Sequence, residues 1–271
     1  MTTIVDRAGT HVSWRFRLLR TLVRRDLEAR YKGAILGWAW PIVVQIAQLL
    51  VFTYVFATIF KMRQPVAGIG SGTLSYGLWL FTGLIGWNAL QAGVIGSASA
   101  ITGRPNLVKR LVFPLAIVPL VPVCSALIES SAGFIIAIAL TFAATGTLHP
   151  TILLLPFVVL VQFALTAGLA YFAAAGTAIV RDLPQALGPF FLVVFYLTPI
   201  VYSADRVPRA LATLERLNPV AVVLEAYRAL ILGGSLPPLA PLAYAALGSL
   251  LFAYAGWRFF RRVRPIFSEV V

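Results

Sequence analysis

Long apolar stretches without any charged side chain constrain this sequence more than any other feature. A helix needs about 20 apolar residues to cross a hydrocarbon layer about 30 Å thick, because each residue adds about 1.5 Å. Of the 271 residues, 60% are hydrophobic and only 11% are charged. A soluble fold could not cover that much apolar surface with so few charges. The sequence therefore predicts an all-α integral membrane protein.

Six stretches have the length and composition of transmembrane helices: about residues 35–60, 74–97, 115–142, 152–180, 187–202 and 239–260. This organisation predicts a cytoplasmic N-terminal region (1–34), a membrane domain (35–260) and a cytoplasmic tail (261–271). With the N-terminus inside, the inner segments hold sixteen Lys and Arg residues and the outer segments hold six. Because Lys and Arg accumulate on the cytoplasmic side, both termini are predicted to be cytoplasmic.

A basic amphipathic segment, residues 13–32, precedes the first predicted span. Leu19, Val23, Leu27 and Tyr31 recur every fourth position, and Arg residues occupy much of the remaining surface. This pattern is typical of a helix lying in the plane of an anionic membrane surface, although a solvated basic face without a partner is the alternative. Two interface anchors are predicted to follow it, since indole rings favour the membrane boundary: Trp38 and Trp40.

A segment too short to cross a bilayer lies between the fifth and sixth predicted spans. Residues 207–232 are predicted to form short interfacial or re-entrant outer helices. Asn218 is the expected N-cap of the second of these helices, and Gly233 and Gly234 are expected to end it. Glu225 and Arg228 are three residues apart and can form an ion pair on that helix.

The sequence contains no motif for chemistry of its own. It has no P-loop, zinc-protease or serine-hydrolase motif, and its single cysteine and two distant histidines predict no metal site. Glu129 is the one acid inside a predicted span, which is too few for a proton relay; a structural hydrogen bond between spans is favoured over a watery path. No catalytic residue is predicted, and any energy for transport is expected from another chain. The net charge of +13 is attributed to membrane topology rather than to nucleic-acid binding.

Four stretches, in order, resemble the type 2 ABC exporter permeases of the polysaccharide export group, which handles O-antigen, capsule and teichoic acid. They are RRDLEARYKGAILGWAWPIV, NLVKRLVFPLAIVPL, RDLPQALGPFFLVVFYLTPIVY and LNPVAVVLEAYRALILG. The resemblance covers about residues 13–265. It implies a homodimeric channel in the inner membrane of a bacterium, with two separate P-loop subunits that hold ATP and Mg. It also implies a lipid-linked glycan as cargo, as in lipopolysaccharide biosynthesis, with no cofactor in this chain and only lipids as further partners.

The resemblance also implies roles for particular segments. The amphipathic helix and a coupling helix at about residues 102–112 are expected to contact the ATP-binding subunits, through Arg24, Arg25, Asp26, Arg30, Arg104, Asn106, Lys109 and Arg110. The first and fifth spans are expected to line the channel, where flat rings can hold sugar faces. The candidate rings are Phe52, Phe56, Phe190, Phe191, Phe195, Tyr196 and Tyr202, and the alternative for each is packing or lipid contact.

Three other functions remain open from the sequence, and one of them is a passive channel, for which no selectivity ring is visible. An ABC exporter of small hydrophobic molecules would share the topology without needing an aromatic channel. A membrane-embedded glycolipid-processing enzyme would need an acidic pair or a metal site, and the few outer acids form no such pattern.

Overall fold

The computed structural model describes residues 3–103, 114–203 and 217–267, apart from the side chains of residues 3–13 and 266. No β-strand occurs in these ranges, so the predicted all-α class is confirmed. The α-helices are α1 (Thr3–Tyr31), α2 (Trp40–Phe52), α3 (Thr73–Ala98), α4 (Leu120–Thr145), α5 (Leu155–Ile179), α6 (Leu183–Leu197), α7 (Pro219–Ile231) and α8 (Leu239–Val263). Short 3₁₀ turns adjoin α2, α4, α5 and α8, at Gly37–Ala39, Leu115–Ile117, Pro150–Leu154 and Arg264–Ile266.

Five helical stretches in the described ranges are long and apolar enough to cross a membrane: Gly37–Ile59, Thr73–Ala98, Leu115–Thr145, Pro150–Ile179 and Leu239–Val263. The fifth predicted span is instead the 15-residue helix α6, which begins earlier than expected and ends at Leu197. It ends there because Thr198 precedes Pro199 and adopts an extended conformation, which a residue before proline favours. The protein is thus multi-pass, and the predicted count of six spans is not confirmed.

The first predicted span is not a uniform α-helix. After α2 the chain forms a π-helical segment, Thr53–Ile59, in which the Phe60 amide donates to the carbonyl of Val55. Such segments are rare and usually brief. The segment packs closely on α3, since a Cβ added at Gly77 would meet the Thr53 side chain. Lys61, with a φ of 53°, then turns the chain away.

Helix α3 lies at the centre of the bundle, and most of its side chains are buried among its neighbours. Helices α5 and α8 pack closely where two glycines meet. A Cβ added at Gly168 would lie only 2.8 Å from the backbone of Phe252, so a larger residue would not fit there. Gly256 reciprocally approaches the Gly168 carbonyl. Two further small residues of α8, Ala245 and Ser249, are fully buried, as is typical where helices pack closely.

Helix α7 begins and ends as predicted. The Asn218 side chain accepts a hydrogen bond from the Val220 amide, and Gly234 follows the helix with a φ of 57°. Eight of the 13 residues of α7 are buried, in contact with α3, α5 and α8. The helix is therefore held inside the bundle along one side, which an interfacial position alone would not require. The other predicted outer helix, residues 207–216, lies outside the described residues.

Candidate functional site

A cavity of about 570 Å³ lies between the first span, α3 and α6. The first span contributes Gln48, Phe52 and Phe56, which are four residues apart and thus share one helix face. The π-helical segment follows directly after Phe52 and carries Phe56 into the same cavity. One continuous face of the first span therefore forms a wall of this cavity.

The other two walls are also helix faces. Helix α3 contributes Leu84, Trp87, Asn88 and Gln91, at the i, i+3, i+4 and i+7 positions of one face. Helix α6 contributes mostly aromatic side chains together with the Gly188–Pro189 pair: Gly188, Pro189, Phe191, Leu192, Phe195 and Tyr196.

Aromatic rings dominate the lining. Phe52 and Phe56 stack with ring centroids 5.8 Å apart and an interplanar angle of 17°. Trp87 makes edge contacts with Phe191 at 5.8 Å and with Phe195 at 5.6 Å, which joins α3 to α6. These separations are typical of favourable aromatic pairs. The rings therefore form connected surfaces on both sides of the cavity.

Side-chain amides lie between these rings. Asn88 Nδ2 donates to Gln48 Oε1 at 2.7 Å, and Trp87 Nε1 donates to Gln91 Oε1 at 3.1 Å. Gln48 Nε2, Asn88 Oδ1 and Gln91 Nε2 have no hydrogen-bond partner within the described parts of the chain. The cavity thus offers both donors and acceptors beside flat apolar rings, a combination that suits a ligand with hydroxyl groups.

Five of the seven predicted channel aromatics line this one cavity: Phe52, Phe56, Phe191, Phe195 and Tyr196. Phe190 lies on the other side of α6, in a second cavity of about 430 Å³ whose lining is almost entirely apolar. Tyr202 does not line the first cavity, but its hydroxyl donates to the Tyr196 carbonyl at 2.8 Å. Sequence reasoning missed Trp87 and the three amides. The signal was available, because Gln48, Asn88 and Gln91 are amides within otherwise apolar spans.

Glu129 of α4 joins the amphipathic helix rather than another span. Its carboxylate accepts hydrogen bonds from Arg30 Nη1 at 3.1 Å and from the Tyr31 hydroxyl at 2.7 Å. Arg30 also pairs with Asp26 at 3.1 Å, so the four side chains form one network. Burial, together with the hydrogen bond to Glu129 and its charge, raises the pKa of Tyr31 far above the usual range. The hydroxyl therefore remains a donor to Glu129, and the partner of Glu129 is the amphipathic helix instead of a second span.

This network occupies two of the residues predicted to contact the ATP-binding subunits, Asp26 and Arg30. Of the others on α1, Arg24 forms an exposed ion pair with Glu28 at 2.7 Å, and Arg25 is exposed. Arg104, Asn106, Lys109 and Arg110 lie outside the described residues. The roles of all these residues in coupling remain predictions.

The two predicted interface anchors lie at the start of the first span. Trp38 is 57% exposed and Trp40 is 42% exposed, and the Trp38 ring is 6.2 Å from that of Tyr31. The exposure of both indoles is compatible with a membrane boundary, which itself stays a prediction.

Arg228 of α7 is the most deeply buried charge in the described ranges, with only 4% of the residue exposed. Its guanidinium donates to the carbonyls of Trp79 at 3.1 Å, Pro199 at 3.1 Å and Ile200 at 2.9 Å. It also forms the predicted ion pair with Glu225 and lies 3.6 Å from the centre of the Trp79 ring. Arg228 therefore fixes α7 to α3 and to the segment that follows α6.

The described residues contain no group of three His, Cys, Asp or Glu side chains that could hold a metal ion. The cavity itself is lined by aromatic, aliphatic and amide side chains. These side chains can bind a ligand through ring faces and hydrogen bonds.

Comparison with known proteins gives this geometry a context. Residues 17–232 match the family model described as ABC-2 type transporter. The chain is 28% identical, over 94% of its length and 95% of the relative's, to the "O-antigen export system permease protein RfbA" of Myxococcus xanthus. It is 22% identical to a protein of the same description from Klebsiella pneumoniae, over 96% of this chain and 97% of that one.

Proposed function

The chain belongs to the ABC-2 type transporter family, and we propose that it is the membrane-spanning subunit of an ATP-driven polysaccharide exporter. Family membership makes it a transport component rather than an enzyme. The relatives that match nearly its whole length are named as O-antigen export permeases. The proposed cargo is a lipid-linked polysaccharide of that type, moved out across the inner membrane.

The observation that supports this cargo best is the combination of rings and amides in the cavity between the first span, α3 and α6. A sugar ring has an apolar face, which stacks on aromatic rings, and a rim of hydroxyl groups, which bond to amides. Phe52, Phe56 and Phe195 supply the ring faces, while Gln48, Asn88 and Gln91 supply the polar groups. Because ring stacking depends little on which sugar is bound, the lining would allow a repeating polymer to slide.

A homodimer is proposed because two of the helices that form the cavity walls, α2 and α6, expose most of their residues on the outside of a single chain. Gln45 is the only buried residue of α2, and Phe191 is the only buried residue of α6. The exposed residues of these helices are large and apolar, including Val44, Leu50 and Leu192. A second copy facing them would enclose a channel between two such cavities.

Two P-loop subunits holding ATP and Mg are proposed as the source of energy. They would contact α1 and the segment at residues 102–112, on the side where both termini of this chain lie. The excess of Lys and Arg in the segments on that side supports a cytoplasmic position.

Export of a small hydrophobic molecule is the second candidate, and the 430 Å³ cavity favours it. That cavity lies between α5, α6 and α8, and its lining includes Leu165, Phe190 and Phe252. Its lining offers few polar groups, so it suits an apolar ligand better than a glycan.

The two candidates are separated by paired variants on α6. Phe195→Ala removes a ring from the aromatic cavity, whereas Phe190→Ala removes an equal ring from the apolar cavity. Each variant would be expressed in a strain lacking this gene, and the polysaccharide on the cell surface would be quantified. Loss with Phe195→Ala and retention with Phe190→Ala supports polysaccharide export. The reverse pattern, or normal surface polysaccharide in the deletion strain itself, refutes it.

The proposed partners are tested by gentle purification of the tagged chain from its host. We expect an equimolar P-loop subunit to co-purify with the chain, and we expect ATPase activity. Deletion of residues 102–112 should abolish that ATPase activity. A pure chain without such a subunit would contradict the two-part exporter.

A further inference from the structure

A second surface feature lies at the junction of α1 and α4, away from the aromatic cavity. It is a groove of about 340 Å³ with an almost wholly apolar lining. Helix α1 forms one side with Phe16, Val23 and Leu27, and α4 forms the other with Cys124 and Ile128. The indole of Trp38 bounds one end of the groove and separates it from the Glu129 network.

Two arginines stand at the rim of this apolar groove, one turn of α1 apart. Arg24 is already paired with Glu28. Arg20 is exposed, and its guanidinium has no hydrogen-bond or ion-pair partner among the residues that the structure describes. An unpaired cation above an apolar groove is complementary to a molecule with an anionic head and a hydrocarbon chain.

We infer that this groove, which we call the α1–α4 groove, binds an anionic phospholipid of the bilayer. One acyl chain lies between Val23 and Cys124, and the phosphate contacts Arg20. The surroundings favour lipid over protein as the occupant, since Phe16 and Trp38, which line the groove, are exposed and apolar. The site is independent of the cargo, because no residue of the aromatic cavity contributes to it.

A bound lipid would complete the attachment of α1 to the bundle. Part of the attachment of α1 to α4 is polar: Arg30 and Tyr31 of α1 bond to Glu129 of α4, on one side of Leu27 and Trp38. On the other side Val23 and Leu27 contact Val121, and the remaining apolar surface of the groove has no protein cover within the described ranges. The lipid covers that surface and neutralises Arg20.

Cys124 makes the inference testable, because it lines the groove and is the only cysteine in the chain. The chain would be placed in nanodiscs of phosphatidylcholine, with or without phosphatidylglycerol, and alkylation of Cys124 by neutral N-ethylmaleimide would be timed. We expect phosphatidylglycerol to slow alkylation roughly threefold, as for a thiol shielded by a mostly occupied site. Arg20→Gln should remove this protection.

Arg25→Gln is the matched control, because Arg25 is equally charged and exposed on α1 but does not line the groove. It should keep the full protection, which separates binding in the groove from a general effect of surface charge. Equal loss with both variants, or no effect of phosphatidylglycerol on the unaltered chain, overturns the inference. So does protection that appears only when a protein partner is added.

Native mass spectrometry gives a second readout that does not depend on the thiol. After purification with limited delipidation, the unaltered chain and Arg25→Gln should each retain a phosphatidylglycerol molecule that Arg20→Gln has lost. Equal retention by all three proteins would contradict the site.

Discussion

Replacing Arg228 by methionine should destabilise the protein more than any other single truncation of a charged side chain in the described ranges. The guanidinium donates to three backbone carbonyls and to Glu225, so its loss removes four hydrogen bonds at once. The side chain lies fully within the protein, where water cannot replace the missing donors. Methionine has a similar length and no charge, so the variant tests the hydrogen bonds with the least change in packing.

The expected magnitude follows from which acceptors are left unpaired. Trp79 lies inside α3, where its carbonyl also accepts from the amide four residues later, so it keeps one partner. Glu225 is 48% exposed at its side chain and can be solvated. The carbonyls of Pro199 and Ile200 lie beyond the end of α6 and lose their donor, at about 1–3 kcal/mol each. The two carbonyls together give about 2–6 kcal/mol, a range that includes the roughly 3–5 kcal/mol typical of removing one partner from a buried ion pair.

The measurement is thermal unfolding of the purified protein in a mild detergent. A loss of 3–5 kcal/mol lowers the melting temperature by on the order of 10 °C in a chain of this size. Glu225→Gln is the control, since it removes the partially exposed charge, keeps an acceptor for Arg228 and should shift melting by only a few degrees.

Gly83→Ala tests the same contact from α3, because the added Cβ would collide with the Arg228 guanidinium. Its effect should be strongly non-additive with Arg228→Met, whose flexible side chain can move aside. Unchanged melting of Arg228→Met, or simple additivity of the pair, would refute the reasoning.

Three further outcomes are expected. Glu129→Gln and Arg30→Gln should each destabilise the protein, with a coupling of about 1 kcal/mol in a double-mutant cycle, because the pair is partly exposed; full additivity would show that the contact contributes nothing. Gly256→Val should destabilise the protein by more than the roughly 1–3 kcal/mol typical of an overpacked variant, since its Cβ would meet the rigid carbonyl of Gly168. An unchanged melting temperature would argue against the close packing of α5 on α8. Trp87→Phe should reduce polysaccharide export with melting lowered by only a few degrees, because it keeps a ring and loses a single hydrogen bond of about 0.5–1.5 kcal/mol; unchanged export would exclude the indole from the path.

Local signals made several elements predictable from the sequence. The every-fourth-residue pattern of α1 places Val23 and Leu27 in contact with α4, as an amphipathic helix requires. The ends of α7 were readable because Asn218 and Gly234 act through their own backbone surroundings. Such signals involve residues close together in the chain and do not depend on how the helices are arranged.

Signals that depend on two elements together could not be read. Glu129 was identifiable as an acid inside a predicted span that needs a partner, but its partners Arg30 and Tyr31 are nearly 100 residues away along the chain. The end of α6 was missed because apolar residues continue through Val201, while the backbone has already become extended at Thr198. Hydropathy reports the solvent that a segment prefers, and here the local steric effect of Pro199 determines where the helix stops.

The candidate site shows the same limit in a more general form. Helix α3 is apolar around most of its circumference, so no amphipathic pattern marks which face borders a cavity. Rings do not mark that face either, because Phe191 lines both cavities while its neighbour Phe190 lines only the apolar one. Amides are more informative, since an amide within a lipid-facing span must find a polar partner or a polar ligand. Gln48, Asn88 and Gln91 meet at one cavity, and three of their six side-chain polar atoms have no hydrogen-bond partner within the described chain. In this chain, side-chain amides inside spans are therefore better markers of the cavity than the aromatic residues that accompany them.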